Sequence, residues 1–284
     1  MKSKFYSVIA ASLMLISGVS AAQDQFADVE ISVTSLSGSA YMLQGAGGNI
    51  GVSAGEDGVL IIDDQFAPLA PKISAALGEL ATDAPSYVIN THYHGDHTGS
   101  NGFFHEHKGA TIFAHENVRV RLASDDNVSP SALPVVTYEQ GIKIHFNNET
   151  LHVFHLPSGH TDGDSVVWFE NANVLHSGDL FFNERFPYID LGAGGSVEGY
   201  IKSVETLLTK IDADTQIIPG HGPLATKADY ESFLAMIKAT KAFVDAQKAA
   251  GMSVDDVVKQ GLPEKWAQWS WNFITEERWI KTLY

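Results

Sequence analysis

The chain has 284 residues, 44% of them apolar and 18% charged, with 34 acids against 18 bases and a formal charge of −16. That length and balance suit one large globular domain or two small ones. The acidic surplus argues against a nucleic-acid partner, which would need a basic stripe. The absence of cysteine excludes disulfides and thiolate ligands, so any metal must be held by nitrogen and oxygen.

The first residues differ in kind from the rest. Lys2 and Lys4 precede an apolar run that ends in small residues at "VSAAQ", the pattern of a secretory signal peptide. The run is too short and wrongly flanked for a membrane span, and no later segment is apolar for long enough. Cleavage is predicted after Ala21, or alternatively after Ala22, leaving a domain over 22–284 with a periplasmic or secreted address. Loss of the two lysines takes the formal charge from −16 to about −18.

"DVEISVTSLSGSAYMLQG" and "NIGVSAGEDGVLIIDD" read as short strands broken by glycine turns. "APLAPKISAALGEL" carries Leu69, Ile73, Leu77 and Leu80 at helical spacing. "SYVIN" is a brief strand that runs into "THYHGDHTGSN", and "DHTGSNGFFHEH" looks like a helix start. "ATIFA" is a strand and "ENVRVRLAS" a helix. "IKIHF", "ETLHVFHL", "DSVVWFE" and "NVLHSGD" form a second strand group. "SVEGYIKSVETLLTKI" is an amphipathic helix with Ile201, Val204, Leu207, Leu208 and Ile211 on one face. "TQIIPGHG" is a last strand and turn. From about residue 225 the chain is helical, with capping-box starts at Thr226/Asp229 and Ser253/Asp256 and a stop at Gly261. Strands then helices, twice over, predict two sheets packed together with helices on their outer faces, a four-layer arrangement.

The density of histidine at 92–97 asks for a metal. "YVINTHYH" reads as extended, so His92 and His94 point the same way and Tyr93 faces away. Gly95 turns the chain, so Asp96 and His97 aim at a different spot. Two adjacent metals fit these four residues better than one. Further candidates follow strands and sit beside glycines: His160 in "LPSGHTDGD", Asp179 in "LHSGDLFF" and His221 in "IIPGHGP". Glycine there permits close backbone approach.

The ordered set His92-x-His94-x-Asp96-His97, Gly159-His160-Thr161, Gly178-Asp179 and Pro219-Gly220-His221-Gly222 resembles the metallo-β-lactamase superfamily over most of the predicted mature chain. The resemblance implies an αβ/βα sandwich of two mixed sheets with a two-zinc site at their edge. It implies His92, His94 and His160 on the first zinc, Asp96, His97 and His221 on the second, and Asp179 bridging. Asp63, at the end of "VLIID", matches the family's buried aspartate that supports the ligands from behind. Asp96 is both a ligand and a candidate proton acceptor. The chemistry implied is attack by a metal-bound hydroxide on a carbonyl-centred bond, a β-lactam or a lactone, in a small molecule. Two zincs, two aspartates and one hydroxide leave about one net positive charge, which favours a substrate carboxylate.

Departures from family patterns bear on the substrate. With no cysteine, the second zinc lacks the Asp-Cys-His shell of the familiar β-lactamases, and Asp179 resembles the bridge of the thioesterase (glyoxalase II) and lactonase branches. The C-terminal bases are spread among acids, without the cluster those thioesterases use for glutathione. A thioesterase remains one alternative, and a periplasmic metal-binding module without turnover is another. "LFFNERFPYID" offers Phe181, Phe182, Phe186 and Tyr188 as an apolar wall and Arg185 as the one obvious cation.

The remaining histidines read more plainly. His105, His107, His145, His152 and His155 are surface or satisfied positions; His115 ties down a loop; His176 has no assigned role. "GVSAG" lies between two predicted strands, so Ser53 reads as a strand or turn residue and not as a nucleophile. "GAGGNIG" reads as a turn near the site mouth. Trp266, Trp269, Trp271 and Trp279 read first as core packing of a C-terminal helix, with a substrate wall or a dimer contact as the alternatives.

Overall fold

The computed structural model describes residues 25–284; the predicted leader, 1–21, lies outside the described residues. The first sheet has seven strands in sequence order: β1 (Ser32–Ser35), β2 (Ala40–Gln44), β3 (Ile50–Gly55), β4 (Gly58–Ile62), β5 (Tyr87–Asn90), β6 (Thr111–His115) and β7 (Val136–Tyr138). Strands β1 to β4 pair antiparallel, as their short glycine turns dictate. From β4 to β7 the pairing is parallel. Helices α1 (Ala70–Gly78), α2 (Gly95–Thr98), α3 (Asn101–Lys108) and α4 (Glu116–Ala123) lie in these parallel connections. Strand β7 has no counterpart in the sequence reading: it is three residues long, and its Val136 is exposed.

The second sheet has the order β12-β11-β10-β9-β8, built from β8 (Gly141–Phe146), β9 (Glu149–His155), β10 (Ser165–Phe169), β11 (Val174–His176) and β12 (Gln216–Ile218). Strands β11 and β12 are parallel, and α5 (Val197–Leu208) lies in their connection. Both sheets are therefore mixed. The chain closes with α6 (Lys227–Ala249), α7 (Val254–Gln260) and α8 (Glu276–Leu283). Thr226 and Asp229 cap α6 reciprocally, and Ser253 caps α7.

Period-two alternation assigns each strand residue to a layer. In β4, Leu60 and Ile62 join Val153, Val167, Val174 and Ile218 in a core between the sheets. Their neighbours Val59 and Ile61 pack outward on Ile73 and Leu77 of α1 and Phe104 of α3. In the second sheet Val166, Leu175 and Ile217 face outward onto Tyr200 and Leu207 of α5 and Phe233 of α6. Three cores separate four layers, the predicted αβ/βα sandwich. Each fully buried aliphatic side chain contributes roughly 1.5–3 kcal/mol of transfer free energy.

The predicted face of α5 is rotated slightly. Val197, Tyr200, Val204 and Leu207 are buried, while Ile201 and Leu208 only flank the core. Tyr200 takes the central place because its hydroxyl finds a buried acceptor, the Asp179 carbonyl, at 2.7 Å. Among the described residues no helix is long and apolar enough to cross a membrane.

Candidate metal centre

The chain leaves β4, β5, β9, β11 and β12 at the same edge of the sandwich, and the loops that follow carry Asp63, the 92–97 segment, His160, Asp179 and His221. Strand ends on a rigid scaffold fix the loops from which functional side chains project.

Strand β5 stops at Asn90, and residues 91–93 form a bend before α2. His92 and His94 nonetheless converge. Tyr93 does not face away as an extended chain would require: its hydroxyl donates to Asp190 Oδ2 at 2.7 Å, and the same oxygen accepts from His94 Nε2 at 3.1 Å. The period-two expectation fails here because the backbone has left the sheet. Gly95 opens the helical turn that carries Asp96 and His97 the other way.

Two groups of side chains result. His92, His94, His160 and Asp179 bring ligand atoms within 4.8 Å of one another, and so do Asp96, His97 and His221. His160 Nε2 lies 2.9 Å from His94 Nδ1, and His97 Nε2 lies 3.4 Å from His221 Nε2. Asp179 stands between the groups. Its Oδ2 is 3.4 Å from His160 Nε2 and 3.7 Å from His92 Nε2; its Oδ1 is 3.1 Å from His97 Nε2 and 3.5 Å from His221 Nε2. Asp96 Oδ2 is 3.3 Å from His221 Nε2.

Hydrogen bonds on the far sides of the rings fix their orientation. Asp63 accepts from Thr91 N, Thr91 Oγ1 and His97 Nδ1 at 2.7, 2.8 and 2.7 Å. It does so from a left-handed backbone, φ 63°, a conformation that Asp tolerates better than most residues. His160 Nδ1 donates to the Tyr188 carbonyl at 2.7 Å. The loop carrying His160 is wound around Asp164, which accepts from the backbone of His160 and Thr161 and from the Thr161 hydroxyl.

Two buried polar atoms mark a place for a cation. His92 Nε2 and Asp179 Oδ1 are buried and make no hydrogen bond among the described residues, a costly state for polar atoms that a bound cation relieves. Burial pushes the Asp179 carboxyl up, but His97, His221, His92 and His160 outweigh it and hold it well below the usual range. Burial likewise opposes ionisation of Asp96, yet His97 and His221 hold it at about 2. Burial pushes the His160 ring down to about 4, so it is neutral as a ligand must be. Against burial, the carboxylates of Asp179 and Asp96 hold His97 up and His221 at about 9, so those two rings would give up a proton to a bound cation.

A cleft of about 580 Å³ opens over the centre, lined by His94, Asp96, Asp179 and His221 and by Phe66, Phe182, Tyr188, Trp271, Phe273, Arg185 and the glycines 45 and 47. The glycine-rich turn thus does reach the site mouth. Of the predicted apolar wall only Phe182 and Tyr188 take part, whereas Phe181 and Phe186 are fully buried in the core. Trp279 is core, as read from sequence, but Trp271 is a wall residue, anchored by its indole N–H on the Phe186 carbonyl at 2.9 Å. Arg185 stacks over Trp271 at 5.0 Å, where burial lowers its pKa against the opposing charge of the neighbouring Glu184.

Four of the other histidines do structural work. His115 caps α4 and bonds the Glu139 carbonyl; His105 and His155 bond backbone carbonyls. His176 ties β11 to Asn49. Ser53 is a buried strand residue hydrogen-bonded to Asn147. Sequence reasoning missed Thr91, Asp164 and Asp190. Only Asp164 left a trace, in the turn-rich "GHTDGD".

The profile of the metallo-beta-lactamase superfamily matches residues 37–221. An uncharacterised protein of Aquifex aeolicus is 31% identical over 142 residues, 47% of this chain and 66% of that protein. A protein of Pelagibacter ubique named hydroxyacylglutathione hydrolase is 31% identical over 138 residues, 48% of this chain and 51% of its own. Metallo-beta-lactamase IND-1 of Chryseobacterium indologenes is 30% identical over 134 residues, 47% of this chain and 54% of its own. The matches thus span about half to two thirds of these relatives' lengths. Among solved structures, the DIM-1 metallo-beta-lactamase superposes with a TM-score of 0.63 at 14% identity, over 74% of this chain and 99% of that one, which speaks to the fold alone. With the profile covering well over half of the sequence, this chain belongs to the metallo-beta-lactamase superfamily.

Proposed function

We propose that the protein is an exported two-zinc hydrolase that cleaves a carbonyl-centred bond, a lactam or a lactone, in a small molecule bearing a carboxylate. The observation that carries this reading is Asp179, with one oxygen turned to each histidine group. His92, His94, His160 and Asp179 would hold one ion; Asp96, His97, His221 and the other Asp179 oxygen would hold the second. A set of imidazoles and carboxylates without thiolate fits zinc. When bound, such a pair supplies a nucleophilic water of lowered pKa and a Lewis acid for the carbonyl oxygen.

The chain's residues do the rest. Asp96 borders the cleft and, held at about 2, is ionised at neutral pH, so it can accept a hydrogen bond from a water in the cleft. Phe66, Phe182, Tyr188, Trp271 and Phe273 receive an apolar body and exclude water. Arg185 lines the same cleft and suits a substrate carboxylate. The export reading is supported by Lys2, Lys4 and the apolar run after them.

A thioester is the second reading. Asp179 stands where the familiar β-lactamases carry cysteine, and the relative from Pelagibacter ubique is named a hydroxyacylglutathione hydrolase. A panel of a chromogenic cephalosporin, a carbapenem, an acyl lactone, a thioester and a phosphodiester, each with and without chelator, separates the two. Chelator-sensitive turnover of a lactam or lactone supports the first reading. Turnover of the thioester alone moves the assignment to the second. Turnover of the phosphodiester alone overturns both, and none at all favours a metal-binding module.

A further inference from the structure

We propose that Asp190 is a positioning residue for His94, and that it sets the affinity of one ion only, the one held by His92, His94 and His160. The inference rests on the metal-centre reading above. Four of the histidines make a hydrogen bond on the ring nitrogen that faces away from the site. His92 Nδ1 meets a hydroxyl, Thr91 Oγ1, at 3.0 Å, and His160 Nδ1 meets the Tyr188 carbonyl. Only two are backed by carboxylates: His97 by Asp63 at 2.7 Å and His94 by Asp190 at 3.1 Å. One falls in each group. Each prospective ion therefore has one imidazole with an anion behind it.

The consequence for His94 is a fixed tautomer. A carboxylate at Nε2 keeps the proton there, and the Nδ1 lone pair is left pointing at His160 Nε2 2.9 Å away, toward the centre of its group. An anion behind the ring also raises its basicity as a ligand.

Asp190 is held for this purpose from several sides. Its Oδ2 also accepts the Tyr93 hydroxyl, its Oδ1 accepts Ala193 N at 3.1 Å, and its own N–H donates to the His160 carbonyl at 2.9 Å. Tyr93 in turn lies under the Arg121 guanidinium at 5.4 Å, which is fixed by a two-pronged bond to Asp162. Asp190 thus joins the loops of His94 and His160 without itself lining the cleft.

The test is zinc binding, not turnover. Chelator-stripped full-length protein is titrated with zinc in competition with a chromophoric chelator. Asp190→Asn is expected to weaken one of two binding events by about 10–100-fold, the usual effect of losing such a partner, and to leave the other unchanged. Asp63→Asn is expected to weaken the other event most, with a smaller effect on the first because Asp63 also holds Thr91 behind His92. Tyr93→Phe, which leaves the carboxylate in place but less firmly held, gives a smaller loss at the same event as Asp190→Asn. Unchanged affinities in Asp190→Asn, or equal weakening of both events, overturn the proposal. If that variant does not fold, Tyr93→Phe decides: both affinities unchanged overturn it. Wild-type protein that takes up no zinc overturns the metal-centre reading instead. The tautomer of His94, read by long-range proton–nitrogen correlation in metal-free protein, then tests the positioning role separately. Protonation at Nε2 supports it, and protonation at Nδ1 overturns it.

Discussion

Gly220 lies directly against Asp179: a Cβ built on Gly220 would stand 2.0 Å from Asp179 Oδ1 and 2.7 Å from the Gly178 carbonyl carbon. The glycine before His221 is therefore there for space. Its absent side chain lets β12 and its turn close onto the carboxylate that joins the two histidine groups.

Gly220→Ala is expected to push Asp179 out of place. Zinc content should fall below that of the wild type, and stability should drop by roughly 1–3 kcal/mol, the usual cost of overpacking. Elemental analysis with thermal melting checks this. A variant with wild-type zinc content and melting temperature would show that the contact relaxes freely.

Arg185→Ala is expected to raise KM for a carboxylate-bearing substrate while changing kcat little, because the guanidinium contributes binding far from the bond that breaks. The matching methyl ester should lose much less. Equal effects on acid and ester would assign Arg185 to packing on Trp271 instead.

Much of this was legible in the sequence, for reasons that differ by element. The ligand candidates stood out because metal chemistry needs imidazoles and carboxylates in numbers, and Gly-His and Gly-Asp pairs after strands mark tight turns. The layers were legible because apolar residues recur at period two in β4 and near 3.6 in α5. Asp190 was not: it is a single acid in an irregular loop, and its role depends on a contact with His94 across 96 positions. Tyr93 was misread because period two holds only while the chain stays in the sheet. Trp271 was grouped with Trp279 by proximity in sequence, yet a short turn separates the cleft wall from the core helix.

Trp279 anchors the C-terminal helices, fully buried with its indole N–H on Thr240 Oγ1 at 3.0 Å. Trp279→Ala is expected to cost about 3–5 kcal/mol by cavity formation, whereas Thr226→Ala, which removes the cap of α6, should cost about 1 kcal/mol. Denaturant midpoints give both values. A small loss at Trp279 would mean that α8 adds little to the core.

N-terminal sequencing of the protein from its native host is expected to begin at Ala22 or Gln23. A chain that still begins at Met1 would contradict the export reading and would favour the thioesterase alternative.

The most direct measurement is the zinc stoichiometry of protein purified without chelator, read beside its hydrolytic rate. The account predicts about two ions per chain, the number set by the two-metal arrangement, and a rate that disappears with chelator and returns with zinc. A ratio that stays at one after zinc is supplied would contradict the bridging place of Asp179, and with it the proposed mechanism.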